Sequence, residues 1–150
     1  GVGWGAVGIH AVSGGGSSGG AGAGPAVMEQ THIAGIKGRL HHPGIDLSGQ
    51  VDLLTLTAII EKADLLVGVD SAPTHLAAAM HTAQVILYGP TNPFHWRPRD
   101  TPAVILCGDA TAPRTVFSSD EPQHKMIEIS TKQVIDAMNS LLPAPAASPL

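Results

Sequence analysis

Short apolar runs alternate with segments of helical periodicity along most of the chain. The runs DLLVGV (64–69), QVILYG (84–89) and AVIL (103–106) are nearly continuous in apolar residues, which is typical of parallel strands covered on both faces. A short strand is also predicted at 45–47. Helices are predicted over residues 25–36, 53–63, 74–81 and 130–142. This order predicts an α/β domain with a mainly parallel, Rossmann-like sheet flanked by helices.

Capping residues support two of these helices. Asp52 precedes the apolar positions Leu53, Leu56 and Ile60, and its carboxylate can accept a hydrogen bond from the first turn. Ser130 or Thr131 can do the same for the last helix. The stretch from 108 to 125 is predicted to be loop.

The two ends of the chain differ from its centre. Residues 1–24 are rich in glycine, and two interpretations stay open: a flexible segment, or a strand at 6–12 followed by a glycine loop near a ligand. The segment 143–150 is predicted to be a disordered tail. The predicted domain therefore spans 25–142. Because the chain starts with Gly1, we expect a fragment or a processed product.

Composition excludes several classes of protein. The chain has 150 residues and a formal net charge of −4, and its 8 lysines and arginines form no run, so the basic surface of a nucleic-acid-binding protein is missing. No stretch reaches the roughly 18 apolar residues of a membrane span. The single cysteine, Cys107, excludes an internal disulfide and suits a cytoplasmic protein. The 8 histidines lack the partners of a zinc site, so no metal is expected. No cofactor is expected either.

The first candidate site follows the apolar run 64–69. Asp70, Ser71, Ala72 and His75 lie where a buried strand would turn into a helix, and ligands of open α/β sheets bind at such strand ends. Free amides of the first helical turn attract anions. Ser71 can cap the helix, the small Ala72 allows a phosphate close to the backbone, and His75 can donate a hydrogen bond to it. Each residue also has a purely structural interpretation, as a cap or a surface histidine.

A second candidate loop, YGPTNPFHW, follows the next predicted strand. Thr91 can bind a phosphate through its hydroxyl and amide, with Asn92, His95, Trp96 and Arg97 as polar and stacking groups beside it. The alternative is a proline-rich loop folded around Trp96 as a small core. Two such loops at neighbouring strand ends would border one crevice, which favours ligand binding.

These two motifs together resemble the C-terminal domain of glycosyltransferase family 9, the heptosyltransferases of the lipopolysaccharide inner core. The similarity rests on GVDSAPTHLAAA (68–79) and VILYGPTNPFHWRP (85–98), and IDLSGQVDLLTLTAIIEKADLLVGVD (45–70) resembles the segment that leads into them. It is weaker at 24–44. Ala72 stands where some members have glycine, which leaves the identity of the donor open.

The resemblance implies the C-terminal half of a GT-B fold, which holds a nucleotide-sugar such as ADP-heptose. Asp70 would contact the heptose, the amides of Ser71 and Ala72 the diphosphate, and His75 the diphosphate or sugar. Thr91 would line the same crevice, and Glu29 is a candidate ribose contact.

The resemblance also implies an inverting transfer without an obligatory metal. The catalytic base and most of the site for the lipopolysaccharide core acceptor would belong to an N-terminal domain that 150 residues cannot include. We therefore expect donor binding but negligible transfer from this chain, in a cytoplasmic protein that contacts the inner face of the inner membrane peripherally. The alternatives are a non-catalytic nucleotide-binding module and a GT-B enzyme that uses a UDP-sugar.

Overall fold

The computed structural model describes residues 34–39, 44–48 and 50–142. After a short helical stretch at 34–37, the elements in chain order are α1 (Leu53–Lys62), β1 (Leu66–Val69), α2 (Ala72–Ala79), β2 (Gln84–Tyr88), α3 (Pro93–Trp96), β3 (Ala103–Cys107), a 3₁₀ turn (Met126–Glu128) and α4 (Thr131–Leu141). None of the helices in these residues is long and apolar enough to cross a membrane.

The three strands form one parallel sheet in the order β1-β2-β3. Leu66 pairs with Gln84 and Val69 with Leu87, while β2 pairs with β3 from Gln84–Ala103 to Tyr88–Cys107. Because all three strands run in one direction, their carboxyl ends lie at the same edge of the sheet. The α/β fold with a parallel sheet is confirmed.

Helices cover the two faces of the sheet. On one face α4 packs against a core of Leu65, Val85 and Leu106 through Ala137. On the other face α1 and α2 enclose Ile60, Leu66 and Ala77. The alternation along β2 explains this division, since successive strand side chains point to opposite faces.

Gly68 of β1 faces Thr74 of α2 with room for a methyl group. A Cβ at Gly68 would lie 3.5 Å from the Thr74 methyl group, and Ala77, one turn further along α2, is fully buried. Because only two residues connect β1 to α2, the N-terminus of α2 lies directly beside the end of β1.

Two predicted boundaries are confirmed by their caps. Asp52 accepts a 2.7 Å hydrogen bond from the Thr55 amide at the start of α1. Ser130 forms a capping box with Gln133 at the start of α4. The 108–125 segment is loop, as predicted, apart from an isolated bridge between Arg114 and Ile105.

The predicted strand at 45–47 is wrong. Ile45 is 81% exposed, and Asp46 instead organises a turn by accepting hydrogen bonds from the Ser48 amide and, through its carbonyl, from Gln50. Such local bonds compete with a strand ladder. Helix α2 also begins at Ala72 and ends at Ala79, two residues before each predicted end. The predictions for 1–24, 25–33 and 143–150 lie outside the described residues.

Candidate functional site

The two candidate turns lie at the same edge of the sheet. Val69 pairs with Leu87 in neighbouring parallel strands, so the turn that begins at Asp70 adjoins the turn that begins at Gly89. Neighbouring strands are about 4.8 Å apart. This placement meets the geometric condition for a single crevice bordered by both turns.

The first turn exposes the start of α2. Ser71 has an extended backbone at the N-cap, but its side chain makes no capping hydrogen bond. Its hydroxyl donates instead to the Val69 carbonyl at 3.1 Å, so the prediction that the Ser71 side chain caps the helix is wrong. Ala72 is exposed. The Ser71 side chain therefore accepts no hydrogen bond from the amides at the start of α2. The position that a capping oxygen usually occupies is open to an anion.

Asp70 and His75 are placed differently from each other. His75 is exposed in the first turn of α2, and Asp70 is half-buried at the end of β1. Asp70 directly follows Val69, which pairs with Leu87 of β2, so Asp70 lies beside the end of β2. Burial and then the Asp70 carboxylate raise the pKa of Tyr88 above its usual range.

The second turn is organised by Asn92. Its side-chain oxygen accepts from the Phe94 amide at 2.8 Å and caps α3, while its amide group donates to the Ser118 carbonyl at 3.0 Å. Both functional atoms are thus used within the protein, and the expectation that Asn92 is a polar group for the ligand is not supported. Thr91, just before it, is half-buried at the edge shared with Asp70.

Trp96 does not form the core of this loop. Its side chain is 57% exposed, so the alternative of a loop folded around Trp96 is wrong. Arg97 donates to the Pro93 and Phe94 carbonyls and its guanidinium lies 4.7 Å from the centre of the Phe117 ring. His95 is exposed.

Sequence reasoning missed a cluster of ionisable side chains behind these turns. It contains Glu121 and His124, whose side chains are 4% and 2% exposed, and the partly exposed Arg114 and Asp109. The Arg114 guanidinium pairs with the Glu121 carboxylate, and His124 Nδ1 lies 3.0 Å from Asp109. The only sequence signal was a cluster of charged residues in a predicted loop, which solvated loops also show.

A separate depression lies at the end of β3. It has a volume of about 350 Å³ and is lined by Gly108, Asp109, Glu128 and Gln133 among others, but by none of the predicted site residues. No group of three or more His, Cys, Asp or Glu side chains suited to a metal ion occurs among the described residues. Glu29, the candidate ribose contact, lies outside those residues.

Comparison of the sequence with known proteins identifies its family. The sequence profile described as glycosyltransferase family 9 (heptosyltransferase) matches residues 22–126, which include both turns. The chain belongs to glycosyltransferase family 9. The resemblance inferred from the two motifs is thereby confirmed.

Individual relatives agree with this assignment. The chain is 36% identical over 103 residues to lipopolysaccharide heptosyltransferase 3 of Escherichia coli, with 68% of this chain and 30% of that protein covered. It is 32% identical over 103 residues to lipooligosaccharide heptosyltransferase 2 of Haemophilus ducreyi, covering 65% of this chain and 30% of that one. The chain therefore spans about 30% of the length of these relatives.

A solved structure is similar as well. The crystal structure of a family 9 glycosyl transferase from Veillonella parvula superposes with a TM-score of 0.63 at 26% identity, covering 77% of this chain and 34% of that one. This similarity supports the Rossmann-like assignment of the sheet and its helices.

Proposed function

We propose that this chain is the donor-binding part of a heptosyltransferase, which transfers a heptose or related sugar from an ADP-sugar to a lipopolysaccharide core acceptor. The observation that carries the proposal is the position of the turns at Asp70 and Gly89, side by side at the carboxyl edge of a parallel sheet. Ligands of open α/β sheets bind at that edge. Membership of family 9 supplies the class of ligand.

In this proposal the start of α2 binds the diphosphate. The amides of Ser71 and Ala72 face the phosphate oxygens, where the positive end of the helix dipole attracts negative charge. His75 is exposed within the first turn of α2 and donates a further hydrogen bond. Thr91 contributes from the neighbouring turn.

Asp70 is assigned to the sugar. A carboxylate accepts hydrogen bonds from hydroxyl groups, and beside the phosphate oxygens it would repel negative charge. We therefore place the heptose near Asp70 and the diphosphate along α2. Glu29 remains a proposed ribose contact, on the resemblance alone.

The proposed chemistry is an inverting displacement in a GT-B enzyme. The acceptor hydroxyl attacks the anomeric carbon as ADP leaves, and charge grows on the departing diphosphate. The amides of Ser71 and Ala72 and the imidazole of His75 stabilise that charge. The base and the acceptor site belong to the part of the enzyme that this chain does not include, so we expect donor binding without transfer. The proposed setting is the cytoplasm, in peripheral contact with the inner membrane that holds the acceptor.

Calorimetry with ADP, ADP-heptose and UDP tests the proposal. We expect the chain to bind ADP and ADP-heptose more tightly than UDP. Asp70→Ala is expected to weaken ADP-heptose binding about 10- to 100-fold, as the loss of hydrogen bonds to a charged group would, and to leave ADP binding nearly unchanged. His75→Ala is expected to weaken both ligands.

Asp64→Ala is the matched control, because Asp64 is an exposed aspartate just before the opposite end of β1. It should change neither affinity. Tighter binding of UDP would favour the UDP-sugar alternative. A melting temperature that collapses in both site variants would show that Asp70 and His75 are structural residues.

A further inference from the structure

The segment 117–126, here called the clamp segment, packs against the turn that follows β2. The His124 amide donates a 3.0 Å hydrogen bond to the Gly89 carbonyl. A Cβ at Gly89 would lie 3.2 to 3.3 Å from Met126 side-chain atoms, so the segment lies directly on the backbone of the turn. The Asn92 side chain donates to the carbonyls of Ser118 and Ser119, at 3.0 and 3.3 Å.

The clamp segment is itself anchored to the core. Phe117 packs against the buried cluster that contains Tyr88 and Cys107. The Lys125 backbone lies against Gly108 so closely that a Cβ there would meet the Lys125 carbonyl oxygen at 2.0 Å. These contacts fix both ends of the segment to the strand ends of β2 and β3.

Buried charge holds the middle of the clamp segment. The Glu121 carboxylate pairs with Arg114, which is bonded to β3 through its amide and the Ile105 carbonyl at 3.0 Å. Neither carboxylate oxygen has a well-aligned hydrogen bond within the described residues, so the contact is an ion pair. This ion pair therefore links the middle of the clamp segment to a residue that is bonded to β3.

We propose that the clamp segment holds the 89–92 turn in the shape that binds the donor diphosphate, with Asn92 as the positioning residue. This inference rests on the proposed function, in which Thr91 contributes to diphosphate binding. Asn92 would position Thr91, the residue next to it. Asn92 joins two structures at once: its oxygen caps α3 and its amide group holds the clamp segment. Thr91 thus lies between the end of β2 and Asn92, whose side chain forms hydrogen bonds to both α3 and the clamp segment.

The two functions of Asn92 can be separated by substitution. Asn92→Asp and Asn92→Ser keep an oxygen that caps α3 but lack the amide donor for the Ser118 and Ser119 carbonyls. Asn139→Asp makes the same chemical change at an exposed position of α4 and serves as the control. Each protein is examined by amide hydrogen exchange, by ADP calorimetry and by thermal melting.

We expect both Asn92 variants to exchange faster at the amides of Glu121 and His124, which donate to the Ser118 and Gly89 carbonyls, and to bind ADP about 3- to 10-fold more weakly, with melting temperatures close to that of the parent chain. The control should match the parent in all three measurements. Unchanged exchange at Glu121 and His124, or faster exchange with unchanged ADP affinity, would overturn the positioning assignment. Outright unfolding of both variants would overturn it as well, since Asn92 would then be a folding residue.

A failure of the proposed function can be distinguished from a failure of this inference. If the parent chain binds no ADP, donor binding is refuted, whereas the exchange rates at Glu121 and His124 still report whether Asn92 and the clamp segment restrain the turn.

Discussion

Replacing Gly108 with alanine should destabilise the domain by about 2–4 kcal/mol. The new Cβ would lie 2.0 Å from the Lys125 carbonyl oxygen and 2.8 Å from its carbon. Ordinary contact begins near 3.4 Å, so the clamp segment would have to move by well over an ångström. Backbone atoms cannot rotate away as a side chain can.

The magnitude has two contributions. Overpacking a well-filled site costs about 1–3 kcal/mol. His124, the residue before Lys125, donates a hydrogen bond from its amide to the Gly89 carbonyl. This bond contributes about 1 kcal/mol and would be lost when the segment is displaced. Urea unfolding followed by circular dichroism measures the sum as a shift of the midpoint at constant slope.

Two other glycines provide matched controls. A Cβ at Gly89 meets Met126 at 3.2 Å and one at Gly68 meets Thr74 at 3.5 Å. Gly89→Ala should therefore cost about 1 kcal/mol, and Gly68→Ala should lie within about 1 kcal/mol of the parent, since alanine also restricts the unfolded chain. A Gly108→Ala midpoint equal to that of Gly68→Ala would show that the Lys125 backbone does not press against Gly108.

Two further predictions concern titratable groups. Hydrogen bonds from Thr55 lower the pKa of Asp52 from its ordinary value of 3.8, so the carboxylate stabilises the fold above pH 3.8 and loses that effect as the pH falls through its folded value. Asp52→Ala should therefore lower the melting temperature at pH 7, and the difference from the parent should shrink in melts below pH 3.8; a constant difference would contradict this. Burial raises the pKa of Cys107 from 9.0 to about 11, which lowers its thiolate fraction at pH 8 roughly 100-fold. Iodoacetamide labelling followed by mass spectrometry should thus be slow in the folded chain and fast in urea, and equal rates would refute the burial argument.

The sheet could be predicted because its signals are local. Each strand is a short apolar run covered on two faces, and Asp52 and Ser130 mark helix starts with side chains that bond within three residues. The two turns of the candidate site could be predicted for the same reason, since each follows a strand directly. Their shared edge then follows from parallel strand order alone.

The rest depended on contacts that leave no local pattern. Asn92 bonds to the Ser118 carbonyl 26 residues away, and any residue at 118 would offer that carbonyl. The Ser71 hydroxyl donates to the Val69 carbonyl and accepts no hydrogen bond from the helix amides, although its sequence context is that of a cap. The turn at Asp46 is stabilised by the hydrogen bond from the Ser48 amide to the Asp46 side chain, although Ile45 and Leu47 are apolar as in a strand.

An ADP titration of the isotope-labelled chain, followed by amide chemical shifts, shows whether a diphosphate binds at both turns. Binding across both turns predicts that the amides of Ser71, Ala72 and Thr91 shift together and saturate with one dissociation constant. Shifts confined to the opposite edge of the sheet, around residues 64–65 and 82–83, would contradict it, as would shifts at only one of the two turns.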